Sequence, residues 1–405
     1  MNDLHGKRIV LGLTGGIACF KAAELCRSLV KAGAQVQVVM TEAAAQFITP
    51  VTMQALSGQA VYTSQWDARE GNNMAHINLS RESDLILIAP ASADFMAKLI
   101  HGKADELLSL MCLARPLQKV PLMLAPAMNR EMWAHPATQR NVAQLKADGA
   151  HVLDVGQGDQ ACGETGDGRM LEAEDIVEAL RAFWTPKVLA GRQVLITAGP
   201  TYEAIDPVRG ITNLSSGKMG FAMARAAQHA GAKVTLVAGP VSLPTPRGVL
   251  RIDVRSALQM HDAVKHAVAD ANVFIAAAAV ADWRPASAAE QKIKKDGSGD
   301  SPELQFVENP DILATVAKSP RAQSGELYCV GFAAESHDLL AHTTAKRARK
   351  GVPLLVGNIG PSTFGQDDNA LLLVDAQGAK ELPRNSKTQL AHDLIQDIAS
   401  RLRKR

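Results

Sequence analysis

Aromatic residues are scarce in this chain, at 4% of 405 residues, which removes the stacking platform that single-stranded nucleic acid needs. A surplus of one charge is lacking too, since 43 Lys and Arg stand against 41 Asp and Glu, a formal net charge of +2. Binding a phosphate backbone calls for a basic excess, so nucleic acid is not expected as a partner. Long apolar runs are missing. Ile9 to Leu13 is too short for a signal-peptide core, and Val273 to Ala281 falls well below the roughly 18 to 20 residues that span a bilayer. The cysteines (Cys19, Cys26, Cys112, Cys162 and Cys329) form neither a CxxC pair nor a dense disulfide pattern. They read as reduced thiols, and the chain as a cytoplasmic protein without a membrane segment.

What is present is enough apolar material for a sizeable core. A content of 47% hydrophobic and 21% charged residues excludes disorder, and the length suggests two or three domains with interiors built from Ala, Val, Leu and Gly.

Apolar periodicity shows a repeated grammar. Lys7 to Leu13 reads as a buried strand, followed by the turn Thr14-Gly15-Gly16-Ile17, a helix from about Ala18 to Ala32, and a strand from Gln35 to Met40. Asp84 to Ala89 and Val120 to Ala125 read as further strands ending in small-residue loops. From residue 191 the pattern restarts. GRQVLITAGP echoes GKRIVLGLTGG, HAGAKVTLVAG echoes KAGAQVQVVM, and ANVFIAAAAVAD parallels SDLILIAPASAD. Strand, loop and helix in this order imply parallel sheets covered on both faces, hence an α/β chain of two doubly wound domains. The break falls between Trp184 and Gly191 and divides residues 1–188 from residues 189–405. Thr388 to Arg403 closes the chain as an amphipathic helix whose basic end suits a helix C-terminus.

In such folds, ligands sit where strands end and helices begin, because free N–H groups there face a phosphate. In the first half that place is Gly15, Gly16 and Ile17, without the GxGxxG of an ordinary NAD site. Three further features stand out. His76 opens a helix, Asn129 lies in the loop PAMNREMW, and Cys162 sits in the glycine-rich ACGETGDGRM, which reads as a mobile flap carrying a thiol. Each has an ordinary reading on its own: two glycines in a tight turn, a helix-start histidine, an Asx turn, an inert thiol.

The second half carries Ser215-Ser216-Gly217-Lys218-Met219-Gly220 before an alanine-rich helix. It is not a Walker A loop, because Met219 stands where Ser or Thr should meet magnesium. Its hydroxyls and N–H groups suit an anion, or a plain N-cap. Ala276 to Asp282 is a strand end so bare that a ligand can lie against its backbone. Gln291 to Gly299 is a basic loop containing Lys292, with a solvated surface loop as its ordinary reading. Lys346 and Lys350 are four apart, on one helix face.

TGGI, the His76 helix, PASAD, PAMNREMW and ACGETGDGRM in this order resemble the flavin-dependent cysteine decarboxylases. SSGKMG, AAVAD, KIKK, NPDI, GFAAE and KRARK resemble the phosphopantothenate–cysteine ligases, with departures at Ile211-Thr212 and Leu214 that bear on packing more than chemistry. Together they resemble the bifunctional bacterial coenzyme A biosynthesis proteins over nearly the whole chain.

For the first half, the resemblance implies a Rossmann-like domain that holds FMN with Gly15, Gly16, Ile17, Thr41, Ser92, Ala93, Asp94, Phe95 and Ala127. An N-acylcysteine loses CO₂ with difficulty, having no electron sink β to the carboxylate. Hydride transfer from its CH₂–SH carbon to flavin yields a thioaldehyde whose C=S accepts those electrons, and the enethiolate then regains hydride and a proton without NAD. The implied roles are His76 as base near the thiol, Asn129 as holder of the carboxylate, and Cys162 as the acid.

For the second half it implies a CTP-dependent ligase with Mg²⁺. The carboxylate of 4′-phosphopantothenate attacks the α-phosphate, and the amine of L-cysteine displaces CMP from the acyl-cytidylate. Lys292 is implied to assist cytidylate formation and Asn213 to bind the intermediate. Ser215, Ser216, Gly217, Ala276, Ala277, Ala278, Asp282, Lys292, Pro310, Asp311, Ile312, Leu313, Phe332, Lys346 and Lys350 are expected to hold the nucleotide. Metal ligands stay open, with Asp282 suited either to magnesium or to the cytosine amino group.

A regulatory flavoprotein that inhibits a phosphatase is the alternative reading, and a flavin oxidoreductase that stops at oxidation is another. The intact His76, Asn129 and Cys162 set and the complete ligase half argue against the first, and the Cys162 flap, needed only for the return step, argues against the second. A homo-oligomer is expected, trimer-based in the flavin half and dimeric in the ligase half.

Overall fold

The computed structural model describes residues 4–67, 69, 74–161, 163–294, 303–360 and 365–403. The chain forms two compact units, Met1–Trp184 and Thr185–Arg405. Among the described residues, no helix is long and apolar enough to cross a membrane.

The first unit runs β1 (Arg8–Leu13), α1 (Cys19–Lys31), β2 (Gln35–Met40), the short helices α2 (Glu42–Ala45) and α3 (Pro50–Ser57), and α4 (Ala75–Glu82). It continues through β3 (Leu85–Ala91), α5 (Ala93–Ile100), α6 (Leu107–Ala114), β4 (Leu122–Pro126), α7 (Arg130–Ala134) and α8 (Pro136–Ala147). β5 (His151–Val152), the hairpin of β6 (Gly156–Asp159) and β7 (Thr165–Arg169), and α9 (Ala173–Trp184) complete it.

The main sheet is parallel in the order β2-β1-β3-β4-β5. Side chains alternate along β1. Ile9, Leu11 and Leu13 pack with Leu25, Leu29 and Leu180 on one face, and Val10 packs with Ile86, Leu108 and Met111 on the other. A Cβ at Gly12 would stand 2.6 Å from Leu108 and 2.7 Å from Ile88, so the glycine lets α6 lie directly on the strand. The chain leaves β1 for β2 on one side and reaches β3 on the other, which makes the carboxyl end of β1 the switch point where such sheets bind ligands.

The second unit runs β8 (Gln193–Ala198), β9 (Tyr202–Ala204), β10 (Gly210–Thr212), α10 (Lys218–His229), β11 (Lys233–Ala238), β12 (Val249–Asp253) and α11 (Ala257–Ala267). Next come β13 (Val273–Ala276), β14 (Trp283–Pro285), β15 (Phe306–Glu308), α12 (Ile312–Ala317), α13 (Pro320–Ser324), β16 (Tyr328–Glu335) and α14 (Leu339–Lys350). β17 (Leu354–Ile359), β18 (Asp368–Val374), β19 (Ala379–Ser386) and α15 (Lys387–Arg403) end it.

Its sheet has the order β12-β11-β8-β13-β16-β17-β18-β19, parallel as far as β17 and antiparallel beyond. Val194 and Ile196 pack under Leu390, Leu394, Ile395 and Ile398 of the final amphipathic helix, while Leu195 faces the opposite layer with Met260 and Val264. β8 lies between β11 and β13, a second switch point.

Candidate active sites

In the first unit, backbone ties gather four strand ends. The Thr14 hydroxyl donates to Pro90 O at 2.7 Å and accepts from the Ser92 N–H at 2.9 Å. Thr41 N–H donates to Leu13 O, and Ala127 N–H to Ala91 O, both at 3.1 Å. Gly15, Gly16, Ile17, Thr41, Ser92, Ala93, Asp94, Phe95 and Ala127 therefore stand on adjacent carboxyl ends of β1, β2, β3 and β4. Thr41 and Ser92 each cap a helix, accepting from the Ala44 N–H at 3.1 Å and the Phe95 N–H at 3.2 Å. The Phe95 side chain belongs to the core, at 1% exposure, so the residue has only backbone to offer a ligand. Asp94 faces Lys98 at 3.8 Å.

A flavin suits this place. A Cβ at Gly15 would meet the Ala43 Cβ at 2.7 Å, whereas one at Gly16 would meet nothing within 4 Å, leaving room for a flat ring. Ile17 and Phe20, 60% and 64% exposed, put apolar surface beside the turn.

The hairpin of β6 and β7 lies against the Asn129 loop. Met128 N–H donates to Gly168 O at 2.9 Å, and Arg130 Nη1 to Thr165 O at 3.2 Å. Asn129 Nδ2 donates to Glu164 Oε2 at 2.6 Å and lies 3.4 Å from Gln160 Oε1, while Asn129 Oδ1 accepts from the Glu131 N–H at 2.8 Å. The expected flap is thus docked on the expected carboxylate holder. Cys162 itself lies outside the described residues. His76 is half-buried at the start of α4; its imidazole makes no hydrogen bond or ion pair among the described residues. Because α4 feeds β3, its N-terminus lies toward the strands' carboxyl ends, the side that carries Asn129.

In the second unit, a cleft of about 1070 Å³ opens at the carboxyl ends of β8, β13, β16 and β17. Asn213, Ser215, Ser216, Gly217, Ala276, Ala277, Ala278, Asp282, Pro310, Asp311, Ile312, Leu313, Phe332, Lys346 and Lys350 all line it. The bare strand end is fixed from behind, with Ala277 N–H donating to Thr197 O at 3.1 Å and Ala279 N–H to Gly199 O at 2.9 Å. Asn213 Nδ2 donates to Ala279 O at 2.9 Å, which sets the asparagine across that strand. The plain N-cap reading of the serines does not hold. Gly217 caps α10 in a left-handed conformation with φ 75° and no side-chain cap, so first-turn N–H groups face the cleft.

Lys292 departs from expectation. It is exposed and does not line the cleft. What fixes its neighbourhood is Asp206, buried and paired with Arg209; the Asp206 carboxylate accepts the Ile293 N–H at 3.2 Å. The rest of the basic loop, from residue 295 to residue 302, lies outside the described residues. Lys350 is already paired with Asp311, and Lys346 with Glu335 at 3.3 Å. Sequence reading missed Lys387, which also lines the cleft and donates to Gln366 O at 2.5 Å. Burial, and then the charge of Lys218, hold its ammonium below the usual lysine value. It opened an amphipathic helix far along the chain, and no local motif marked it.

Residues 1–185 match the flavoprotein family, and residues 189–402 match the C-terminal domain family of DNA/pantothenate metabolism flavoproteins. The coenzyme A biosynthesis bifunctional protein CoaBC of Vibrio cholerae is 49% identical over 394 residues, covering 96% of this chain and 97% of that protein. Its counterpart in Escherichia coli K12 is 46% identical over 404 residues, 98% of each. The chain belongs to the CoaBC family. The solved C-terminal domain of a CoaBC protein is 34% identical and spans 54% of this chain and 100% of that one, with a TM-score of 0.46. The FMN-binding protein AtHal3 is 31% identical over 44% of this chain and 96% of its own, with a TM-score of 0.40.

Like its CoaBC relatives, the chain is a bifunctional enzyme of coenzyme A biosynthesis, a flavoprotein decarboxylase followed by a ligase. Full-length likeness to such enzymes sets aside the regulatory reading.

Proposed function

We propose that the second unit joins L-cysteine to 4′-phosphopantothenate at the expense of CTP, and that the first unit decarboxylates the product to 4′-phosphopantetheine. The observation that carries the ligase reading is the single cleft in which the alanine strand end, the open N-terminus of α10 and the lysines of α14 meet. Ala276, Ala277 and Ala278 leave room for the nucleotide, and Pro310 to Leu313 with Phe332 border it. Lys346 and Lys350 neutralise phosphate charge. Asn213 binds the acyl-cytidylate, and Lys292 assists its formation by closing on the cleft from its anchored segment.

No group of three or more His, Cys, Asp or Glu side chains gathers as a metal site among the described residues. Mg²⁺ commonly uses one or two carboxylates together with substrate phosphates, a role open to the exposed Asp282. The alternative for Asp282 is the cytosine amino group.

In the first unit, the glycine turn and the ends of β2, β3 and β4 hold FMN. When bound, the flavin supplies a reversible two-electron acceptor for the substrate's CH₂–SH carbon. His76 takes the thiol proton, Asn129 holds the carboxylate until CO₂ leaves, and Cys162 returns a proton to the resulting enethiolate. Soluble homo-oligomers in the cytoplasm complete the proposal, trimer-based through the flavin unit and dimeric through the ligase unit.

The test is the full chain incubated with 4′-phosphopantothenate, cysteine and either CTP or ATP, with 4′-phosphopantetheine and acyl-cytidylate followed by mass spectrometry. A yellow protein forming product with CTP is expected. Full activity with ATP and none with CTP would overturn the nucleotide assignment.

A further inference from the structure

We propose that Glu164 is a built-in stand-in for the substrate carboxylate, holding Asn129 until an N-acylcysteine displaces it. The inference rests on the carboxylate-holding role given to Asn129 above.

An asparagine amide nitrogen has two hydrogens to donate. In Asn129 one goes to Glu164 Oε2 at 2.6 Å and the other faces Gln160 Oε1 at 3.4 Å. The amide oxygen is engaged as well, by the Glu131 N–H. An incoming carboxylate therefore finds no open donor, and one neighbour must withdraw. Gln160 is fixed at both ends of its own amide. Its Oε1 accepts from the Arg130 N–H at 3.0 Å, and its Nε2 donates to Asp167 O at 3.0 Å.

Glu164 is the other neighbour. It is exposed, and it lies on a turn whose backbone closes without its carboxylate, through Gln160 N–H to Glu164 O at 2.7 Å and Gly163 N–H to Gln160 O at 2.9 Å. Two carboxylates on one amide repel, so the substrate's arrival moves Glu164 off. Loss of CO₂ leaves a product without that charge, and Glu164 can return to Asn129. The exchange makes the site favour a carboxylated ligand only by the difference between the two carboxylates.

The experiment measures binding rather than turnover, by calorimetry on the flavin-loaded full chain. One ligand is the N-acylserine analogue of the substrate, which keeps the carboxylate and lacks the thiol. The other is 4′-phosphopantetheine, which lacks the carboxylate. Glu164→Ala is expected to bind the serine analogue about fivefold tighter or more, with the product affinity changed by less than about twofold. Glu164→Gln, which still accepts a hydrogen bond but does not repel, should fall between wild type and Glu164→Ala. Unchanged or weaker binding of the analogue by Glu164→Ala would overturn the proposal, since a merely structural Glu164 would not separate the two ligands. Asn129→Ala tells the two failures apart. If it leaves the analogue's affinity intact, the carboxylate role of Asn129 fails and takes this inference with it.

Discussion

The Asp206 carboxylate receives Arg209 through Nε at 3.0 Å and through Nη2 at 2.6 Å. The same carboxylate takes the Ile293 N–H at 3.2 Å, and Arg209 Nη2 reaches Ile293 O at 2.8 Å, so one ion pair holds both backbone groups of the residue that follows Lys292. Arg209, with the N–H groups of Val208, Arg209 and Ile293, holds the Asp206 carboxyl well below the usual carboxylate range. Asp206→Asn keeps the volume and removes the charge. Acyl-cytidylate formation should fall about tenfold or more, while decarboxylation of supplied substrate is unchanged. A carboxyl lowered in the folded state contributes stability above its unfolded pKa, roughly 3.9, and loses it as the pH falls toward the folded value. The stability gap between wild type and Asp206→Asn should therefore narrow below about pH 4, as followed by circular dichroism. A gap independent of pH would show that the charge is not what the pair contributes.

Gly168 lies where the hairpin meets the Asn129 loop, with φ 122° and an ideal Cβ position 2.5 Å from Met128 O. Alanine fits neither the conformation nor the space, and the local strain is about 1–3 kcal/mol. Gly168→Ala should lower decarboxylase kcat/KM about tenfold or more and leave the ligase rate intact. Equal losses in both activities would mean that the substitution acts on the fold as a whole.

The alternation of strand and helix was legible because each central strand is a short apolar run buried on both faces, as Leu85 to Ala91 shows. The cleft was legible for a related reason: strand ends stripped to alanine, and lysines four apart on a helix, are local patterns. Three things were not. Asp206 and Ile293 are far apart in sequence, and their hydrogen bond follows no spacing rule. Glu164 looked like one polar residue among several in a glycine-rich segment, and its hydrogen bond to Asn129 follows from the docking of that segment, which no local pattern marks. The serines before α10 suited an N-cap by composition, but Gly217 adopts the left-handed conformation and takes the cap position instead.

The buried thiols carry a prediction about alkylation. Burial pushes Cys19 and Cys26 up to about 11 and Cys112 up to about 12. At pH 8 the thiolate fraction at a pKa of 11 is roughly one in a thousand, and the thiolate is the reacting species. Iodoacetamide should leave these three unlabelled in the native protein over times that label them fully in denaturant, as read by peptide mass spectrometry. Rapid native labelling of Cys112 would contradict its place in the core.

Lys350 closes on Asp311 in the ligase cleft, and Asp311 is also the N-cap of α12, accepting the Ala314 N–H at 3.0 Å. Removing the lysine therefore does more than delete a cation. The cap keeps the carboxylate in place, where it faces an incoming phosphate without its counter-charge. Lys350→Met should raise the nucleotide KM about 10- to 100-fold, whereas Lys350→Arg, which can still pair with Asp311, should stay within a few-fold. The double variant Lys350→Met with Asp311→Asn separates the two contributions, because asparagine can still cap the helix but carries no charge. It should recover part of the lost nucleotide affinity in initial-rate measurements with varied CTP. If the double variant is no better than Lys350→Met alone, the exposed carboxylate is not a source of the loss, and the lysine acts only through its own charge.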